Sequence, residues 1–238
     1  MNVEIWSDYV CPFCYIGKRR FEKALEQFAH KNEVKVEFRS FELDPNSERN
    51  PNMSMNELLA QKYGMSMEQV ETSQRNLTEQ AAAEGLEYHL DQAVMTNTFD
   101  AHRLMHYAAA QGKENEMSER LFQAYFTESR HIGDLQTLTE LAKEAGLDQA
   151  EALKVLEGTE YTAEVRGNEQ EGSLLGITGV PFFVINRKYG ISGAQPTEHF
   201  LATLNKIWAE ENPLQMFSSD SDGAGVCTDE SCEIPEKE

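Results

Sequence analysis

The chain has 238 residues, a formal charge of −20 and a pI near 4.7. An acidic surface repels a phosphate backbone, and the densest basic cluster, Lys18-Arg19-Arg20, is too short to track one, so nucleic acid is excluded as a partner. An apolar content of 40% excludes global disorder, and four cysteines are too few for a disulfide scaffold.

No run of about 18 apolar residues occurs, so no transmembrane helix and no membrane partner are expected. The opening MNVEIWSDYV has no basic region, apolar run or small-residue cleavage site, so a signal peptide is not expected. The expected localisation is cytoplasmic, where thiols stay reduced and a close cysteine pair is metal-binding or catalytic. Nothing in the sequence sets an oligomeric state.

Alternation over Asn2 to Ser7 predicts a strand. Apolar residues at Ile16, Phe21, Leu25 and Phe28 predict a helix from Cys14 to Phe28. Val34 to Phe41 alternates strictly, a second strand that a βαβ connection makes parallel to the first. From about Ser54 to Gly158 the pattern is helical, with polar starts and glycine stops dividing it into six or so helices. Strand character returns at Val180 to Ile185 and Tyr189 to Ser192, and a last helix is expected over Thr197 to Glu210. The final 21 residues carry seven acids against one Lys and are expected to be disordered.

Cys11-Pro12-Phe13-Cys14 follows the first strand and opens the first helix. A helix N-terminus favours thiolate, and two intervening residues allow a disulfide across one turn. The chemistry expected is thiol–disulfide exchange, with Cys11 attacking and Cys14 resolving the mixed disulfide. The competing reading is a structural or metal-binding pair, but zinc needs further ligands that no second CxxC or nearby His supplies. No metal and no organic cofactor are expected. Val180-Pro181 heads an apolar strand, at the one kind of peptide bond where a cis form is common.

Together WSDYVCPFCYIGKRR, SFELDP, NTFDAHRLMHYAAAQG and GITGVPFFVIN resemble the DsbA family of the thioredoxin superfamily, and most closely its FrnE-type cytoplasmic branch. The resemblance covers nearly all of residues 1–212. It implies an α/β fold: a thioredoxin-like domain from residues 1–45 and 160–212, an all-helical insertion over 46–159, and a flexible acidic tail over 213–238. It also implies that Pro181 is a cis-proline facing the disulfide, with Val180 offering a backbone edge to an extended substrate. Implied partners are protein thiols and disulfides, with glutathione or another cellular thiol as reductant. Phe13 stands where strongly oxidising relatives carry a His, so a less extreme thiol pKa is expected, and the direction of electron flow stays open.

Two other functions compete. The same superfamily includes glutathione-dependent isomerases and transferases, which place a Ser near the position of Cys11 and need no second thiol. A redox-gated holdase is the other, suggested by Met53, Met55, Met65 and Met67, although packing of helix cores and loops is the plainer reading of that cluster. His102 and His106 stand at i, i+4, a metal-capable spacing, with helix packing the plainer reading. Asp8 could tune a thiol or accept its proton, with a turn or capping role the plainer reading. Trp6 and Tyr15 read as core, with contact to a substrate groove the lesser option.

Cys227 and Cys232 sit in the acidic tail, four residues apart. Asp229 and Glu230 would be expected to disfavour both thiolates by like-charge repulsion. As an auxiliary redox pair the tail thiols would pass electrons to the Cys11–Cys14 disulfide, the better leaving group. The competing readings are an inert tail and adventitious binding of a soft metal.

Overall fold

The computed structural model describes residues 1–50 and 53–213, and the backbone of 226–227 and 232–233. Strand β1 (Asn2–Ser7) pairs in parallel with β2 (Lys35–Ser40), the helix between them being α1 (Pro12–Gln27). Strand β3 (Phe182–Ile185) joins the other edge of β1 antiparallel, and β4 (Tyr189–Ser192) pairs antiparallel with β3, giving the order β2-β1-β3-β4. The sheet therefore combines strands from the two ends of the chain.

Between β2 and β3 the chain is helical: α2 (Met55–Tyr63), α3 (Met67–Ala83), α4 (Phe99–Ala110), α5 (Glu114–Phe126), α6 (Leu135–Glu144), α7 (Gln149–Glu157) and α8 (Thr162–Leu174). Polar caps set several boundaries. Ser54 and Ser66 each form a capping box, with Glu57 and Gln69, and Asp134 and Asp148 accept from Thr137 and Glu151 N–H. Helix α9 (Thr197–Glu211) follows β4. Met1–Asn205 forms one compact unit and Lys206–Glu238 another.

Alternation along β1 sends neighbours to opposite faces. On one face Phe183 of β3 meets Phe21 of α1 and Phe200 of α9, with ring centroids 5.4 and 4.7 Å away. On the other, Trp6 packs with Ile177 and Val184, and its indole N–H donates to Asn168 O on α8 at 2.9 Å. Asn168 Oδ1 accepts from Ser40 N–H of β2, so α8 is bonded to two strands. Its Gly172 lies so near the indole that a Cβ there would sit 2.8 Å from Trp6 Nε1.

Sequence periodicity gives no sign of α8. The helix buries only Val165, Asn168 and Gly172, so its inner face carries one apolar side chain, an amide and a bare backbone. In the second unit, β5 (Val226–Cys227) and β6 (Cys232–Glu233) pair antiparallel. The expectation of a disordered tail otherwise lies outside the described residues.

Candidate active site

The turn after β1 is drawn tight when Cys11 N–H donates to Asp8 O at 3.1 Å. Cys11 then takes the N-cap position of α1, with extended φ and ψ of −89° and 113°, and Pro12 fits the first turn because no N–H is needed there. No side chain caps this helix end. Asp8 opens that turn with its carbonyl, and its side chain adds a second tie: Oδ2 accepts from Leu43 N–H at 2.8 Å, fixing the turn to the segment after β2.

Both cysteines are free thiols and both are buried. Cys11 Sγ–H donates to the Val180 carbonyl at 3.6 Å, and the Val180–Pro181 peptide is cis. Helix α1 reaches this loop through Gly17, where a Cβ would meet Pro181 Cγ at 3.0 Å. The structure thus brings Cys11, Cys14, Val180 and Pro181 together. Cys227 and Cys232 belong to the second unit, and only their backbone is described: they stand directly opposite each other in the β5–β6 ladder.

The two thiols differ in setting. Burial pushes the Cys14 thiol well above its ordinary value, the hydrogen bond and charge of Cys11 add to that, and the Ser7 hydroxyl and Asp8 backbone pull it partly back. At neutral pH, Cys14 is a protonated thiol that must lose its proton before it can attack. Between them Phe13 is exposed, so an apolar ring marks the entrance.

Sequence reading missed Tyr88. It lies in a non-helical stretch, where no periodicity signals a role, yet its hydroxyl donates to Pro12 O at 2.8 Å. Burial, then the charges of Cys11, Tyr15 and Cys14, raise its pKa, so it remains a donor. Its ring stacks on Phe126 of α5, with centroids 4.6 Å apart.

A cavity of about 580 Å³ opens beside Cys11. Val10, Phe13 and Val180 line it from the redox side, and Met55, Leu59 and Met65 line it from α2 and the turn that follows. Helix α2 has no buried residue; Met55 on it and Met65 just beyond it are half-buried and line this space. Met53 and Met67 are exposed. Trp6 and Tyr15 are core residues.

His102 Nε2 lies 3.1 Å from Phe41 O and 3.4 Å from Asp8 Oδ1, whereas His106 Nε2 lies 3.0 Å from Ser40 Oγ. The two imidazoles thus serve separate partners. Among the described residues no group of three or more His, Cys, Asp or Glu side chains could hold a metal ion. No helix among them is long and apolar enough to cross a membrane.

Comparison with known proteins places this geometry. The chain is 32% identical to YwbO of Bacillus subtilis over 187 residues, covering 78% of this chain and 86% of that one. A Streptomyces coelicolor structure described as a probable DsbA oxidoreductase, SCO1869, superposes with a TM-score of 0.86 at 44% identity, over 99% of this chain and 100% of that one. The cytosolic disulfide reductase DsbM of Pseudomonas aeruginosa, solved with GSH, shares the fold at 18% identity and a TM-score of 0.61, over 87% of this chain and 98% of that one. The DSBA-like thioredoxin domain matches residues 2–205, and the chain belongs to that oxidoreductase family.

Proposed function

We propose that the protein is a cytoplasmic, FrnE-type dithiol–disulfide oxidoreductase acting on protein substrates through Cys11 and Cys14. The observation that carries the reading is the Cys11 sulfur at a helix N-terminus, 3.6 Å from the carbonyl before Pro181. The Cys11 thiolate attacks one sulfur of a substrate disulfide; a mixed disulfide forms and the other substrate sulfur leaves as thiolate. Cys14 then attacks Cys11 Sγ, the internal disulfide forms, and the substrate departs reduced by two electrons. A cellular thiol returns the enzyme to the dithiol, and the same steps reversed oxidise a substrate. The loop at Val180 presents backbone to an extended peptide, and residues 46–159 act as a helical insertion that walls the cavity.

Turnover of insulin disulfides with dithiothreitol as reductant tests this. Wild type turns over, and Cys11→Ser abolishes turnover. A wild type without activity sinks the reading.

Glutathione is the reductant that the site best accommodates. A cavity of about 580 Å³ falls in the size range of small-molecule sites, and a relative of the same fold has been solved with GSH. Retention of a cavity by a dithiol protein favours glutathione as a co-substrate over an isomerase or transferase chemistry, which needs no second thiol.

For Cys227 and Cys232 the ladder register favours an auxiliary redox pair. Directly opposed residues of an antiparallel pair stand about 4.5–5.5 Å apart at Cα, within the span of a disulfide. A chain truncated after Asn212 should lose the part of turnover that depends on the tail. Unchanged turnover and reduction potential would remove the tail from the mechanism.

A further inference from the structure

The charge on an attacking Cys11 sulfur has to be met by donors, and the residues around it remove several. Pro12 has no N–H, so the first residue of α1 offers none. Phe13 brings an exposed ring and no charge. The Cys14 N–H is bonded to Cys11 O at 3.0 Å. Within the first turn this leaves the Cys14 thiol, kept protonated by burial, and the Phe13 N–H, which has no helical carbonyl four residues back. A side chain at the N-cap accepts from the second or third helical N–H, and Phe13 holds the second place. As a thiol, Cys11 donates to Val180 O instead. As a thiolate it can only accept.

The Phe13 N–H and the Pro12 carbonyl are two ends of one peptide group. At the carbonyl end, the Tyr88 hydroxyl donates to Pro12 O at 2.8 Å. That bond acts on Cys11 in two ways. It draws electron density toward the oxygen and leaves the N–H at the other end a stronger donor, as coupled hydrogen bonds do. It also offsets the negative end of a peptide dipole in the same turn as the sulfur.

The surroundings of Tyr88 hold this contact in place. The residue is 4% exposed, and its ring stacks on Phe126 and Tyr15, with centroids 4.6 and 6.2 Å away and planes within 21° of parallel. Burial, then the nearby charges, raise its pKa, so the hydroxyl keeps a proton to donate. Tyr15, the other phenol of this stack, is committed to Glu119 Oε1 at 2.6 Å. Tyr88 lies 76 positions beyond Pro12, between α3 and α4, so a residue of the helical segment reaches the backbone between the two sulfurs.

We propose that Tyr88 is a positioning residue that stabilises the Cys11 thiolate through the Pro12–Phe13 peptide. The proposal rests on the dithiol reading, in which Cys11 is the attacking thiol. Tyr88 acts through the backbone and takes no part in bond exchange. A stabilised thiolate favours the reduced form. Tyr88 therefore also shifts the exchange in which two glutathione thiols reduce the Cys11–Cys14 disulfide, two electrons passing to the enzyme and one glutathione disulfide leaving.

Tyr88→Phe keeps the stacked ring and removes only the donor. Pro12 O still accepts from Ile16 N–H as the helix requires, so the variant is expected to fold. The full chain is alkylated with iodoacetamide across a pH series, and the Cys11 peptide is followed by mass. Only the thiolate reacts, so the midpoint reports its stability. In Tyr88→Phe the midpoint should rise by about half a pH unit, an about threefold loss, with the high-pH plateau within about twofold of wild type. About one pH unit above that midpoint, the equilibrium constant for reduction by glutathione should fall by about threefold. That gap should close below both midpoints, where Cys11 is protonated in both proteins. Tyr88→Leu should move the midpoint as far as Tyr88→Phe does, and lower stability as well.

An unchanged midpoint in Tyr88→Phe overturns the proposal, even where Tyr88→Leu shifts, because the ring then carries the effect. A glutathione gap that persists at low pH overturns it too. A wild type without insulin turnover overturns the dithiol reading instead, and the alkylation midpoints decide the role of the tyrosine in either case.

Discussion

Lys18 Nζ, on a side chain only 5% exposed in α1, lies 2.5 Å from Glu119 Oε2 of α5, and this contact bonds the helix of the redox thiols to the helical segment. Glu119 also accepts from Tyr15 and Arg19. Burial pushes its carboxyl up, but the charge and hydrogen bonds of Lys18, Tyr15 and Arg19 outweigh that and hold it below the usual carboxylate range. Because the folded pKa is depressed, the stabilisation is complete above the unfolded value, about 4.3, and is lost as pH falls through the lower folded value. Glu119→Gln should cost about 1–3 kcal/mol at pH 7, since Lys18 keeps Glu22 as a partner. Urea unfolding at pH 7 and at pH 3 measures it, and the deficit of the variant should shrink at pH 3.

His106 titrates in a different window. Burial first, then the neighbouring His102, lowers its pKa to about 4. The unfolded chain takes up a proton near pH 6.5 while the folded protein does not, so stability should fall as pH drops from about 6.5 towards 4. In His106→Gln the unfolding free energy should be flatter over that range. An unchanged slope would show that other groups cause it.

At Gly172 the test is steric. A methyl group 2.8 Å from Trp6 Nε1 cannot be placed without moving the indole off Asn168 O. Gly172→Ala should destabilise the fold by about 1–3 kcal/mol and shift the tryptophan emission. Equal stability with unchanged emission would mean that α8 can slide.

Recognition can be separated from sulfur chemistry at the cavity wall. Leu59→Asp puts a charge where an apolar substrate side chain would be buried, a loss of about 1.5–3 kcal/mol, or about tenfold or more in KM for a protein disulfide. Release of thionitrobenzoate when Cys11 attacks the small reagent dithiobis-nitrobenzoate should stay within about twofold of wild type. A fall in both would place Leu59 in the upkeep of the thiols.

Much of the redox half was readable before any coordinates. Polar and apolar residues alternate from Asn2 to Ile5 in β1 and from Lys35 to Arg39 in β2, and the cysteine pair sits where strand gives way to helix, so local pattern and chemistry agree at Cys11 and Cys14. The helices with serine or aspartate caps declared their starts, as at Ser54 and Asp134. What stayed hidden depends on partners far away in the chain. Helix α8 buries an amide and a glycine against Trp6, which no apolar stripe betrays. The Asp8 carboxylate meets Leu43 and His102, 35 and 94 positions on, so its surroundings exist only once the chain has folded. Met55 and Met65 are apolar residues that helix and loop packing would equally bury, and only the folded chain shows that they line a cavity.

Tyr88 gives the site a mechanical property. The stretch between α3 and α4 fixes the carbonyl of Pro12 through the tyrosine hydroxyl, and the same stretch supplies Leu90, Ala93 and Met95 to the cavity wall. A ligand in the cavity would lie against the strip of chain that holds Pro12, the first helical residue between the two sulfurs. The wall of the cavity and the anchor of the thiol pair are thus one continuous piece of chain.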